Sequence, residues 1–162
     1  MQLISKFFLF LSFCLLILGF QACKPQPKEV IQYYPSGEVS RKHIEIDGKN
    51  EGKMTEFYKD GKIKGERIFE NGLQVGKTIY FYPSGSTKEV LYYDAGKMNG
   101  GDTIFYENGK IQFLRNWKDG ELDGYIRKWD QNGVVNYEAK YEKNKLVEVK
   151  GESVVLDSLD AK

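Results

Sequence analysis

Lys53-Met54-Thr55-Glu56-Phe57-Tyr58-Lys59-Asp60-Gly61-Lys62-Ile63-Lys64-Gly65-Glu66-Arg67-Ile68-Phe69-Glu70-Asn71-Gly72-Leu73-Gln74-Val75-Gly76 is one copy of a 24-residue motif that recurs about five times in this chain of 162 residues. Gly37, Gly61, Gly85, Gly109 and Gly133 keep the same step, as do Gly48, Gly72, Gly96 and Gly120, with Asn144 in the fifth place. A third set runs Gly52, Gly76, Gly100 and Gly124. Tyr33, Phe57, Phe81, Phe105 and Trp129 form one aromatic column; Phe69, Tyr93, Trp117 and Tyr141 form another. A fixed period without insertions means one supersecondary unit copied along the chain.

Within the unit, two short runs rich in β-branched and aromatic residues each end at a glycine, and no run has a 3.6-residue apolar stripe. This is the pattern of strand, turn and strand. Tyr34-Pro35-Ser36-Gly37, Tyr58-Lys59-Asp60-Gly61, Tyr82-Pro83-Ser84-Gly85 and Tyr106-Glu107-Asn108-Gly109 suit a type I turn followed by a left-handed glycine. The expected hairpin has a three-residue loop ending in a glycine bulge, with Tyr58 opposite Lys62 and Phe57 opposite Ile63. Odd-numbered residues then share one apolar face, carrying Phe57, Ile63 and Phe69. Its later members are Phe81, Thr87 and Tyr93, then Phe105, Ile111 and Trp117, then Trp129, Val135 and Tyr141. The even face takes Lys62, Lys64 and Glu66.

The fold expected is all-β: a repetitive antiparallel β-hairpin meander of about ten strands, forming an elongated twisted or coiled sheet. The odd-face aromatics are its core. The end units depart from the pattern, at Glu45 in the first and at Asp130, Asn144 and Glu148 in the last, as capping repeats do. The tail from Gly151 to Leu159 has room for one short closing strand.

Lys6 precedes an apolar run from Phe7 to Phe20, too short to span a bilayer comfortably and suited to the core of a signal peptide. Phe20-Gln21-Ala22-Cys23 resembles the lipobox of bacterial lipoproteins, which implies cleavage before Cys23 and a diacylglyceryl group on its sulfur. The alternatives are an ordinary cleaved signal with Cys23 incidental, or an uncleaved anchor. Cys14 lies in the segment that cleavage removes, so export cannot rest on a disulfide framework. The domain plan is a signal peptide at 1–22, lipidated Cys23 with a polar tether at 23–30, repeats at 31–148, and a cap and tail at 149–162. Lys24, standing where an Asp signals inner-membrane retention, implies by the same resemblance the outer membrane, with the periplasmic face as the default.

One of the 24 basic residues, Lys6, falls in residues 1–22, which hold no acid, so the remainder balances the 23 acidic residues. A neutral chain of interspersed charge has no electrostatic footprint for nucleic acid. His43, the one histidine, shares its column with Arg67, Leu91, Arg115 and Ala139 and has no second histidine or cysteine beside it to build a catalytic or metal site. Asp119, Glu121 and Asp123 offer oxygen ligands for calcium, but beside turn glycines they read better as a solvated loop. No nucleophile elbow or phosphate loop is present, so no enzyme, cofactor or metal is expected.

Tyr34, Tyr58, Tyr82 and Tyr106 are the candidate recognition surface, since tyrosine offers a flat apolar ring with a polar tip. The competing reading is that these rings cover the turns and stack across strands. The tyrosine turns and glycine spacing from Gln32 to about Val147 resemble the MORN repeat variant of the YwqK antitoxin-like family. That resemblance implies a noncatalytic repeat protein whose partner is another envelope or secreted protein, in the sharpest form a toxin. A cell-wall or carbohydrate binder and a structural spacer are the rival readings, and oligomeric state is left open.

Overall fold

The computed structural model describes residues 25–149 and the backbone of 152–153. These residues form a single antiparallel sheet in chain order and no helix. The first six strands are β1 Lys28–Tyr33, β2 Val39–Ile46, β3 Lys49–Phe57, β4 Ile63–Glu70, β5 Leu73–Phe81 and β6 Thr87–Asp94. They are followed by β7 Lys97–Met98, β8 Gly100–Phe105, β9 Ile111–Lys118, β10 Glu121–Leu122, β11 Gly124–Trp129 and β12 Val135–Glu142. The last two are β13 Lys145–Val149 and the short closing strand β14 Glu152–Ser153. The pairs β7/β8 and β10/β11 are each one strand interrupted, at Asn99 and Asp123. The expected repetitive meander is the fold found, with more and shorter strands than ten.

Two kinds of turn alternate. At the tyrosine turn, the Tyr58 amide donates to the Lys62 carbonyl at 2.8 Å and the Gly61 amide to the Tyr58 carbonyl at 3.0 Å. Gly61 has φ 83°, the left-handed value that closes a type I turn with a bulge, and Phe57 faces Ile63 as the turn chemistry requires. The other turn has two residues with positive φ at both, as in Asn71-Gly72 at 52° and 85°, a type I′ hairpin. These second turns are tied along the edge, because the Gly96 amide donates to the Gln74 carbonyl and the Gly120 amide to the Met98 carbonyl. The third glycine set lies inside the strands, where Gly52, Gly76, Gly100 and Gly124 pair with Phe69, Tyr93, Trp117 and Tyr141.

The expected single apolar face is corrected here. After Phe57↔Ile63 the next pair is Glu56↔Gly65, which leaves Lys64 unpaired. Ser40, Lys88, Gln112 and Asn136 are skipped in the same way in the other units. One extra residue reverses the inside–outside phase of the returning strand. Phe57, Phe81, Phe105 and Trp129, with Ile63, Thr87, Ile111 and Val135, therefore share one face, while Phe69, Tyr93, Trp117 and Tyr141 lie on the other.

The side chains shielded from solvent are on that second face: His43, Met54, Phe69, Thr78, Leu91, Asp102, Ile126 and Ala139. Its central ladder pairs Met54 with Arg67, Thr78 with Leu91, Asp102 with Arg115 and Ile126 with Ala139. A twisted sheet shields one face of its residues by curling that face inward. Ile63, Ile68, Tyr92, Ile111 and Val135 stay exposed on the outer face. The odd-face residues expected as core are thus divided between inside and outside.

Candidate binding surface

Each tyrosine of the candidate column reaches into the following unit. Tyr34 Oη donates to the Phe57 carbonyl at 2.7 Å, Tyr58 Oη to Phe81 at 2.6 Å, Tyr82 Oη to Phe105 at 2.7 Å and Tyr106 Oη to Trp129 at 2.8 Å. The hydroxyls are therefore engaged within the fold, and the rings are left half-buried. Burial pushes the Tyr58 phenol above its usual range, with Asp60 adding to the effect. Lys59 Nζ lies 5.8 Å from the Tyr34 ring centre and Lys88 Nζ 5.9 Å from that of Tyr82. The column is a ladder of repeat-to-repeat staples that still presents ring faces beside lysines.

Between successive tyrosine turns the surface is hollowed. One cavity of about 250 Å³ is lined by Tyr58, Lys64, Tyr80, Phe81, Lys88 and Glu89. The unit before it has a second, of about 180 Å³, lined by Gln32, Tyr34, Ser40, Arg41, Glu56, Phe57 and Lys64. The two occupy equivalent places one repeat apart and share Lys64, the bulge residue. Tyr80 is held over Gly65, where an added Cβ would lie 2.6 Å from Tyr80 Cδ1. Both hollows are smaller than the roughly 300–1,000 Å³ of usual small-molecule sites.

Two ion clusters back this row on the inner face. Glu56 accepts from Arg41 at 2.7 Å and also from Arg67. Arg115 binds Asp102 at 2.5 Å and lies 3.7 Å from Glu89, with its guanidinium 5.4 Å from the Phe113 ring and 5.7 Å from that of Trp117. Asp102 is 0 % exposed, and its Oδ2 also takes a long bond from Trp117 Nε1–H at 3.4 Å. Burial raises the Glu89 carboxyl above the usual carboxylate range, and the neighbouring Asp102 charge raises it further; Arg115 works in the opposite sense.

His43 is buried, with Nε2 3.2 Å from Glu45 Oε1. Among the described residues no group of three or more His, Cys, Asp or Glu side chains is placed to hold a metal ion. The turn glycines Gly37, Gly48, Gly61, Gly72, Gly85, Gly96, Gly109, Gly120 and Gly133 all adopt positive φ. Cys23 and the apolar leader lie outside the described residues. The sequence reading missed the two hollows and both ion clusters. Their one visible signal was the polar column Ser40, Lys64 and Lys88, which the assumed even face absorbed.

Two stretches match the MORN repeat variant. They are residues 50–71 and 103–119, each beginning in the first strand of a unit and running into the second. No curated protein matches the chain. Among solved structures, accessory secretory protein 1, 2 and 3 of Streptococcus pneumoniae is similar at 16% identity with a TM-score of 0.37. That match covers 70% of this chain, which spans 23% of the length of the other.

Proposed function

We propose that this is a noncatalytic β-repeat protein that binds another envelope or secreted protein through its tyrosine edge. The observation that carries the reading is the pair of solvent-open hollows between tyrosine turns, each smaller than a usual small-molecule site. Tyr, Phe and Arg, which line these hollows, are among the residue types enriched in protein interfaces. The matches to the MORN repeat variant support a β-repeat scaffold of this kind. In the sharper form of the proposal the chain is a lipoprotein of the YwqK-like type, tethered through acylated Cys23 at the periplasmic face of the outer membrane. Two acyl chains, at about 0.8 kcal/mol per buried methylene, would hold it there. Its partner would then be an extracytoplasmic toxin, and its role that of an antitoxin or immunity protein.

A crosslinked pull-down from envelope fractions tests the binding reading. The native chain and a Tyr58→Phe, Tyr82→Phe, Tyr106→Phe variant are expected to recover one protein stoichiometrically. The corresponding triple Ala variant, with folding checked by circular dichroism, is expected to lose it. Recovery undiminished by a folded triple Ala variant, or none with the native chain, overturns the proposal.

A further inference from the structure

The two hollows have a spacing as well as a size, and the spacing selects the shape of what fills them. They are one repeat apart, which is two strands of an antiparallel sheet, or about 9.5 Å at the usual inter-strand distance. A β-strand ligand repeats its side-chain direction every two residues, about 6.7 Å, and would present opposite faces to the two hollows. A polyproline II segment repeats every three residues at about 3.1 Å each, or about 9.3 Å per turn, and would present the same face twice. Aromatic linings suit such segments, whose proline rings pack on Tyr and Phe. Tyr34 and Phe57 line one hollow; Tyr58, Tyr80 and Phe81 line the other.

Charge selects the third residue. Lys64 borders both hollows, is exposed, and makes no ion pair among the described residues. Lys88 stands at the equivalent bulge of the next unit and is also exposed. Of the two carboxylates lining the row, Glu56 is held by Arg41 and Arg67, and Glu89 lies beside Arg115. Neither lysine is held in an ion pair among the described residues, so each can meet an incoming anion, Lys88 from its place 5.9 Å from the Tyr82 ring centre. The bulge positions on either side, Ser40 and Gln112, carry no charge, so the cationic bulge residues fall at two successive units.

Resting on the protein-binding reading above, we infer that the tyrosine edge captures a proline-rich segment in polyproline II conformation with two acidic residues three positions apart. Lys64 and Lys88 meet the two carboxylates, and the prolines between them pack on the tyrosine and phenylalanine rings.

The test uses the full chain in detergent and a fluorescein-labelled peptide, Pro-Pro-Glu-Pro-Pro-Glu-Pro-Pro, followed by fluorescence anisotropy. Saturable binding is expected. It should weaken at least tenfold with Lys64→Glu and stay within about threefold with Lys64→Arg. Lys77→Glu, a change on the outer face, should leave it unaltered. Peptides with lysine in place of glutamate, or with the glutamates two positions apart, should bind at least tenfold more weakly. No saturable binding, equal binding of the respaced peptide, or displacement by an N-acetylglucosamine tetramer overturns the inference. If the pull-down recovers a partner equally with Lys64→Glu, the groove assignment fails and the broader protein-binding reading stands.

Discussion

At the scale of single residues, Gly65 and Glu89 occupy equivalent positions in neighbouring units for opposite reasons. Gly65 is the one member of its column that must lack a side chain, because the Tyr80 ring lies against it. Gly65→Ala is expected to cost about 1–3 kcal/mol through overpacking, read as a lower denaturant midpoint at unchanged slope. Glu89 has a raised carboxyl, so the folded state holds its proton to higher pH than the unfolded state does. Stability from this group is therefore present at low pH and is lost as pH rises past the ordinary carboxylate range. Glu89→Gln should remove that loss: its advantage over the native chain in urea midpoint should grow with pH across that window. A constant difference would show that Glu89 does not titrate there. None of this could be read from the chain, since Arg41, Gly65, Glu89, Phe113 and Tyr137 share a column without sharing a chemistry. Which ring lies over which backbone depends on the strand opposite.

At the scale of elements, the turns were legible and the strand faces were not. The tyrosine turn is specified by local chemistry, a turn-forming pair followed by glycine, and it fixed Phe57 opposite Ile63 from sequence alone. The bulge at Lys64 has no such marker. Ser40, Lys64, Lys88, Gln112 and Asn136 share only polarity, and both faces of the sheet carry an aromatic column, so alternation could be read in either phase. The second turns make a sharper prediction. Ala95 has φ 45° where Asp47, Asn71 and Asp119 stand in the other units, and Asn and Asp tolerate left-handed backbone better than Ala does. Ala95→Asn is expected to stabilise the protein by about 0.5–1 kcal/mol, seen as a higher thermal midpoint. An unchanged or lower midpoint would mean that this turn does not limit the hairpin between β6 and β7.

At the scale of the whole molecule, the repeated architecture makes the unit removable. Deleting Leu73 to Gly96 joins Gly72 to Lys97, keeps a type I′ turn at the junction and brings the Phe105 carbonyl into the place of Phe81 below Tyr58. A shorter sheet that still unfolds cooperatively is expected, with a denaturant slope smaller by roughly a fifth. Loss of all β signal in circular dichroism would mean that stability is not shared out unit by unit. The meander was readable at this scale because period 24 survives any error of phase within the unit. The tyrosine ladder, finally, has an arrow. Every hydroxyl is supplied by one unit and received by the next toward the C-terminus, and Asp130 stands where a fifth tyrosine would continue the series, its Oδ1 accepting instead from the Asn132 and Val134 amides of its own turn. A new copy placed ahead of Tyr34 would bring its own hydroxyl to the Tyr33 carbonyl. A copy placed after Glu142 would find no donor waiting. A duplicated unit would therefore be stapled on arrival at one end of the array, and at the other would meet an aspartate where the donor should stand.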